Sequence, residues 1–179
     1  MSEKKLADIK LFAMDVDGTL TDGKIYMGNH RTTHDGFLRK ELFKAFDVKD
    51  GLGIKLLQKY DIIPAIITGR KSQSVSWRAN EIGVTEVCQG EKDKAEALLL
   101  LMEKYNLKKE QVAYIGDDLN DLGAIKTAGI TFAPADCSPF IVPYIDFLLT
   151  RPAGKAPVRE AIDMILMDIG VSFDDFTDF

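Results

Sequence analysis

Five aspartates in two short segments are the first residues to question: Asp15 and Asp17 in DVDG, and Asp117, Asp118 and Asp121 in GDDLND. Carboxylates this dense cannot share a pocket at neutral pH unaided, because two charges about 4 Å apart at an effective dielectric near 20 repel by about 4 kcal/mol. A divalent cation would resolve the conflict. Neither segment contains His or Cys, and an all-oxygen set favours a hard ion. Mg²⁺ in particular prefers few carboxylates, retained waters and a substrate phosphate. Other residues suit the same partner: Gly18 leaves backbone amides open after the Asp pair, Thr68 in IITGR offers a hydroxyl, and Lys94 after QGEKD offers a positive charge. The expected chemistry is that of phosphate.

The elements that must position these residues alternate along the chain. Short apolar runs predict strands over Ile9–Val16, Pro64–Thr68, Val84–Cys88, Val112–Ile115, Ile130–Ala133 and Phe147–Leu149. Helical spacing predicts helices over Gly51–Tyr60, Ser72–Ile82, Asp93–Tyr105, Leu119–Ala128 and Pro157–Ile169, with Gly83 and Gly129 as C-terminal stops and Pro157 as a start. Leu98–Met102 reads as core packing. Strand–helix alternation implies an α/β fold, a three-layer Rossmann-like parallel sheet with helices on both faces. In such a sheet ligands bind beyond the carboxyl ends of the strands. Asp15, Thr68, Lys94 and Asp117 all follow strand ends, so the topology gathers them on one edge. One connection is too long for this economy. About thirty residues separate Gly18 from Asp50, and within them Lys24–Met27 and Leu42–Val48 could pair as a hairpin around the polar loop Asn29–Gly36. His30 and His34 fall there as solvated residues. No repeat or linker interrupts the chain, which reads as one domain over 1–179 with a hairpin insertion at about 22–49.

Composition narrows the classes. The chain has 179 residues, 46% apolar and 28% charged, with 23 basic against 28 acidic residues for a net charge of −5. This is the balance of a folded domain with a sizeable core, and it carries no basic footprint for nucleic acid or for an anionic membrane. Cys88 and Cys137 fit no metal or redox spacing and are expected to be buried, reduced thiols. The apolar stretch at the N-terminus is broken by Asp8, Lys10 and Asp15, unlike a signal peptide, and the longest apolar run, Ala97–Met102, is far below membrane-helix length. A cytoplasmic location is expected.

DVDGT, the Thr of ITGR, a Lys opening a helix, and GDDLND, in that order, resemble the four motifs of the haloacid dehalogenase superfamily phosphatases. The resemblance covers almost the whole chain and implies roles residue by residue. Asp15 is the nucleophile that forms an aspartyl-phosphate, and Asp17 protonates the leaving alkoxide and then activates water. The Asp15 carboxylate, the Asp17 backbone carbonyl and Asp117 hold Mg²⁺, with Asp118 a further ligand or a support for one. Asn120 and Asp121 position Lys94 and the metal waters. Thr68 and Lys94 hold the phosphoryl oxygens.

Thr68 follows Asp17 by 51 residues and Lys94 follows Thr68 by 26, which leaves room for one hairpin and no cap domain. That hairpin, DGLGI at Asp50–Ile54 and GKAPVREAIDMIL at Gly154–Leu166 resemble the capless branch, the 3-deoxy-D-manno-octulosonate 8-phosphate (KDO 8-phosphate) phosphatases. The resemblance implies a homotetramer whose hairpins form a central barrel and whose active sites are completed by neighbouring subunits. It also places Gly69 and Arg70 at the substrate, and brings Arg78 from a neighbour to the sugar-acid carboxylate. Arg70 matches the KDO type, whereas relatives acting on the nine-carbon KDN 9-phosphate carry a glutamate there. The Gly-rich segment that folds over the site in the family is here RPAGKAPVRE, stiffened by Pro152, Ala153, Ala156 and Pro157.

Other readings stay open beside this one. A phosphatase of KDN 9-phosphate or N-acylneuraminate 9-phosphate shares GDDLND. A signalling receiver also combines acidic residues, Thr and Lys on a parallel sheet, but its Lys comes last in the chain, whereas Lys94 precedes Asp117. A non-catalytic scaffold of the same fold would have no need of Asp15, Asp17 and Lys94 together. GDDLND could cap a helix as well as bind, and Arg70, Arg78, Lys155 and Arg159 could equally make surface salt bridges.

Overall fold

Leu11–Met14, four consecutive apolar residues, suits a strand with both faces covered, and in the computed structural model, which describes residues 6–32 and 36–172, it lies at the centre of the sheet. This strand, β1, pairs in parallel with β4 (Ile63–Thr68) on one side and β6 (Val112–Ile115) on the other. Adding β5 (Glu86–Gln89), β7 (Ile130–Ala133) and β8 (Phe147–Leu148) gives an all-parallel sheet of six strands in the order β5-β4-β1-β6-β7-β8. The order reverses direction at β1, so the crevice between the ends of β1 and β6 is where such a sheet binds ligands.

Alternation of side chains splits the core in two. Phe12 and Met14 of β1 face α1 (Val48–Lys59), α2 (Gln73–Ile82) and α5 (Pro157–Asp168), packing with Ile54, Leu57, Val75, Ile162 and Ile165. Leu11 and Ala13 face α3 (Lys94–Lys104) and α4 (Leu122–Thr127), with Leu98, Leu101 and Ile125. This is the expected three-layer α/β fold. Within α3 the apolar run is not all core: Leu98 and Leu101 are buried, while Leu99 and Leu100 lie exposed on the opposite face, as a period of 3.6 requires.

Several expected boundaries move for identifiable reasons. Helix α1 begins at Val48, not Gly51, because the Asp47 side chain accepts from the Lys49 N–H and caps it. The segment expected to be one helix over Leu119–Ala128 is a 3₁₀ turn, Leu119–Asp121, followed by α4. Gly83 closes α2 in the left-handed conformation as expected. Gly129 does not act as a stop, since Ala128 is the cap. A Cβ at Gly129 would stand 2.2 Å from the Lys109 carbonyl oxygen, so it is glycine to let two backbones pass.

Between β1 and α1 the chain forms an antiparallel hairpin of β2 (Tyr26–Thr32) and β3 (Gly36–Phe43). Both strands are longer than expected, and the segment Asn29–Gly36 predicted as loop supplies much of the ladder, pairing Asn29 with Arg39 and Thr32 with Gly36. A two-stranded ribbon outside the main sheet needs no apolar alternation, so hydrophobic period could not mark its limits. The side chain of His30, and His34 altogether, fall outside the described residues. No helix among the described residues is long and apolar enough to cross a membrane.

Asp50, in the first turn of α1, is a buried carboxylate outside the predicted site. It accepts from the Arg159 N–H at 2.7 Å, joining α1 to α5, while its Oδ2 is buried without a hydrogen-bond partner. Burial pushes its pKa up to about 7, against the pull of that backbone hydrogen bond. A carboxyl that holds its proton more tightly folded than unfolded stabilises the fold below its unfolded pKa and loses that contribution as pH rises through the folded value. Stability should therefore fall between about pH 4 and pH 7 on account of Asp50. Asp50→Asn, which keeps an acceptor for Arg159, should raise stability at pH 8 by roughly 1–3 kcal/mol in urea denaturation and flatten that decline.

Candidate active site

The last residues of β1 run straight into the site. Asp15 continues the strand, its N–H donating to the Ile115 carbonyl at 3.0 Å, and its side chain is 1% exposed. The chain then turns tightly, with the Thr19 and Thr21 N–H groups both donating to the Val16 carbonyl. Gly18 makes that turn at φ +89°, and a Cβ there would lie 2.1 Å from Asp117 Oδ2, so only glycine admits the close approach of the two acidic segments.

Lys94 is the hub. Asp93 caps α3 by accepting from the Ala95 and Glu96 N–H groups, which fixes Lys94 in the first turn with its chain directed under the sheet edge. Its buried ammonium lies 2.8 Å from Asp15 Oδ1 and 2.7 Å from Asp121 Oδ1. Burial alone would disfavour its charge, but the two carboxylates more than offset this and hold its pKa above the usual lysine value. Asp121 is saturated: Oδ1 also accepts from the Tyr114 hydroxyl at 2.6 Å, and Oδ2 accepts from the Asp117 and Asp118 N–H groups at 3.0 and 3.3 Å.

Asp15, Asp117 and Asp121 each offer an oxygen within 4.8 Å of the others. Burial and the charge of Asp121 push Asp15 well above the usual carboxylate range, despite Lys94, and the same two causes push Asp117 up to about 7. Asp15 Oδ2 is buried with no hydrogen-bond partner. These observations fit a hard divalent cation: the donors are all oxygen, one buried oxygen is unsatisfied, and glycine keeps the approach to Asp117 open. Since Asp121 has spent its acceptors on four donors, Asp15 and Asp117 are the carboxylates left for an ion.

The other predicted residues divide. Thr68, 2% exposed, ends β4, where its carbonyl accepts from the Gly90 and Glu91 N–H groups and ties β4 to the turn after β5. A Cβ at Gly69 would stand 3.5 Å from the Glu91 carbonyl oxygen, an ordinary contact, so space there does not demand glycine. The Arg70 Nε lies 3.7 Å from Asp17 Oδ2, so Arg70 belongs to the site. Asp118 is exposed and its carboxylate caps the 3₁₀ turn by accepting from the Leu119 N–H at 2.7 Å, so the capping foreseen for GDDLND is present. Asn120 is exposed on that turn and does not hold Lys94, a task that falls to Asp121. Arg78 is not brought to the cluster within one chain. Its guanidinium donates to Glu81 Oε2 at 2.9 Å and to the Asp47 carbonyl at 3.2 Å. Arg159 makes the surface pair foreseen for it, with Asp163. The segment Arg151–Ala156 is tied down: Arg151 N–H donates to Glu160, Ala153 N–H to Asp136 and Gly154 N–H to the Thr19 carbonyl. Cys88 and Cys137 are half-buried rather than buried, and burial pushes both thiols up.

Three participants were not foreseen. Thr19 Oγ1 approaches Asp117 Oδ1 at 3.5 Å. Tyr114 stands in an otherwise aliphatic strand, VAYI, where its polar tip was the available signal. Lys44, just past β3, forms an ion pair with Asp17 Oδ1, and nothing in its sequence neighbourhood distinguishes it from a solvated lysine.

A Rossmann-like sheet carrying a lysine-bridged acidic centre at its switch point defines a class, the aspartate-centred hydrolases of the α/β type. The chain belongs to the haloacid dehalogenase-like hydrolase family, whose model matches residues 52–152. It is 40% identical over 166 residues to the 3-deoxy-D-manno-octulosonate 8-phosphate phosphatase KdsC of Escherichia coli (strain K12), covering 93% of this chain and 84% of that protein. The crystal structure of the corresponding phosphatase from Yersinia pestis superposes with a TM-score of 0.82 at 40% identity, over 92% of this chain and 84% of that one. The Moraxella catarrhalis phosphatase, solved in complex with a magnesium ion, a phosphate ion and a KDO molecule, gives a TM-score of 0.80 at 40% identity, over 91% of this chain and 88% of that one.

The Tyr114 hydroxyl is fully buried against the Asp121 carboxyl group, and its own ionisation is strongly disfavoured by burial and by Asp121. Tyr114→Phe should cost about 1.5–3 kcal/mol of stability, the range for a hydrogen bond to a charged group, measured by urea denaturation.

Proposed function

We propose that the chain is a Mg²⁺-dependent phosphatase that hydrolyses 3-deoxy-D-manno-octulosonate 8-phosphate to the free sugar acid and phosphate. The observation that carries this is the buried Asp15–Lys94–Asp121 centre beside Asp117 and Asp17, in a chain 40% identical to named KDO 8-phosphate phosphatases over 93% of its length. Arg70 at the mouth of the site, next to Asp17, suits the carboxylate of a sugar acid.

Asp15 attacks phosphorus and forms an aspartyl-phosphate, and Asp17 gives a proton to the departing alkoxide. Asp17 then takes a proton from the water that hydrolyses the intermediate. Lys94 and Thr68, with the backbone amides after Gly18, hold the phosphoryl oxygens as charge moves onto them. The Asp15 carboxylate, the Asp17 carbonyl and Asp117 are the residues that would hold Mg²⁺, with Asp118 as a rim ligand or support. The ion would offset their charge and polarise a phosphoryl oxygen. Arg78 is left out of this assignment because its guanidinium already serves Glu81 and the Asp47 carbonyl.

The site has no cap of its own among the described residues. Val48 and Leu52 on α1 and Trp77 on α2 are exposed at 76%, 44% and 69%, which supports association through this side of the molecule. The assembly we propose is a homotetramer of single-domain chains whose neighbours cover one another's sites. Two unpaired cysteines accord with a cytoplasmic enzyme.

Phosphate release from KDO 8-phosphate, KDN 9-phosphate and a generic phosphate ester, compared under identical conditions, should favour the first. A preference for KDN 9-phosphate would move the enzyme to the nine-carbon group. Asp15→Asn should lower turnover by at least about a thousandfold without unfolding the chain, and chelation should remove activity that Mg²⁺ restores. Light scattering should give the mass of four chains, and an active monomer would refute the shared-site assembly.

A further inference from the structure

Asp17 is held unequally at its two oxygens. Its Oδ1 is engaged by the Lys44 ammonium, whose side chain is 1% exposed, whereas Oδ2 is buried with no hydrogen-bond partner and has the Arg70 Nε 3.7 Å away. Lys44 comes not from the sheet that carries the rest of the centre but from the residue after β3, where the hairpin returns to the domain. A buried lysine on a carboxylate restrains its orientation, and the two oxygens become inequivalent: one takes the Lys44 ammonium, while the other has no hydrogen-bond donor and only the more distant Arg70 guanidinium beside it.

We propose that Lys44 is a positioning residue for Asp17, holding Oδ1 so that Oδ2 is the oxygen that exchanges protons with the leaving group and with water. The proposal rests on the reading of Asp17 as general acid and base given above. In the first step a bond forms between an Asp15 oxygen and phosphorus, the bond from phosphorus to the alkyl oxygen breaks, and the proton on Asp17 Oδ2 goes to that oxygen, releasing the alcohol. In the second step water attacks phosphorus, its proton passes to Oδ2, and the bond to Asp15 breaks to release phosphate.

The leaving group separates this role from others. An alkyl phosphate needs a proton as its alkoxide departs, whereas 2,4-dinitrophenyl phosphate releases a stable anion that needs none, and kcat/KM reports the first step alone. Lys44→Met should lower kcat/KM for KDO 8-phosphate by about 10–100-fold, within the range of general acid catalysis, and leave kcat/KM for 2,4-dinitrophenyl phosphate within about threefold of the wild type. Asp17→Asn should show the same contrast more steeply. Equal losses on both substrates would mean that Lys44 only supports the fold, and a raised KM for the sugar acid with kcat unchanged would mean that it contacts substrate. Either result overturns the proposal. If Asp17→Asn shows no such contrast, the acid–base reading itself fails and the proposal with it. Should Lys44→Met not fold, as judged by circular dichroism, Lys44→Gln carries the same comparison.

Discussion

One ammonium group, that of Lys94, makes the rest of this site possible. It lies between two carboxylates that are almost fully buried, those of Asp15 and Asp121, and without it each would face the several kcal/mol that an unpaired buried charge costs. Its position depends in turn on long-range features of the fold. The Asp93 cap sets the start of α3, the parallel register of β1 with β6 brings Asp15 beside the turn that carries Asp121, and α3 packs on the face of the sheet that contains Leu11 and Tyr114. A shift in any of these would leave a charge stranded in the core, so the electrostatics of the centre and the packing of the domain constrain each other.

The parts of the fold most readily read from sequence were those where burial on both faces left one pattern. VAYI and ITFA emerge as strands with the predicted limits because all four residues of each are covered. Boundaries set by hydrogen bonding rather than hydrophobicity were less legible. The start of α1 depends on a side chain–backbone bond from Asp47, and the break between the 3₁₀ turn and α4 depends on Asp118 and Asp121 accepting neighbouring amides. The hairpin is the extreme case, since its strands form a two-stranded ladder of their own, separate from the six-stranded sheet.

At the site the same division appears. Asp15, Asp17, Thr68, Lys94 and Asp117 were legible because strand ends converge on one edge, and geometry brings all of them there. Asp121 was foreseen as a support for Lys94, but its complete saturation by four donors, two of them backbone amides, is a property of the turn and has no signature in composition. Tyr114 and Lys44 were missed for opposite reasons. A tyrosine in a core strand is ordinary until its hydroxyl is seen to meet a carboxylate, and a lysine beside a hairpin is ordinary until its chain is seen to be buried.

The charges of the centre divide into two neighbouring sets. Asp15, Asp117 and Asp121 against Lys94 leave the interior formally at −2, the sign that recruits a divalent metal. Beside them, Asp17 stands between Lys44 and Arg70, formally +1, and the exposed Asp118 brings this second set to zero. In the proposed mechanism Asp17 serves both sets, its carbonyl as a metal ligand and its carboxylate in proton transfer, so a single residue would couple the metal to the proton transfer. The ion pair with Lys44 adds a further connection, because it ties that same residue to the point where the hairpin rejoins the domain.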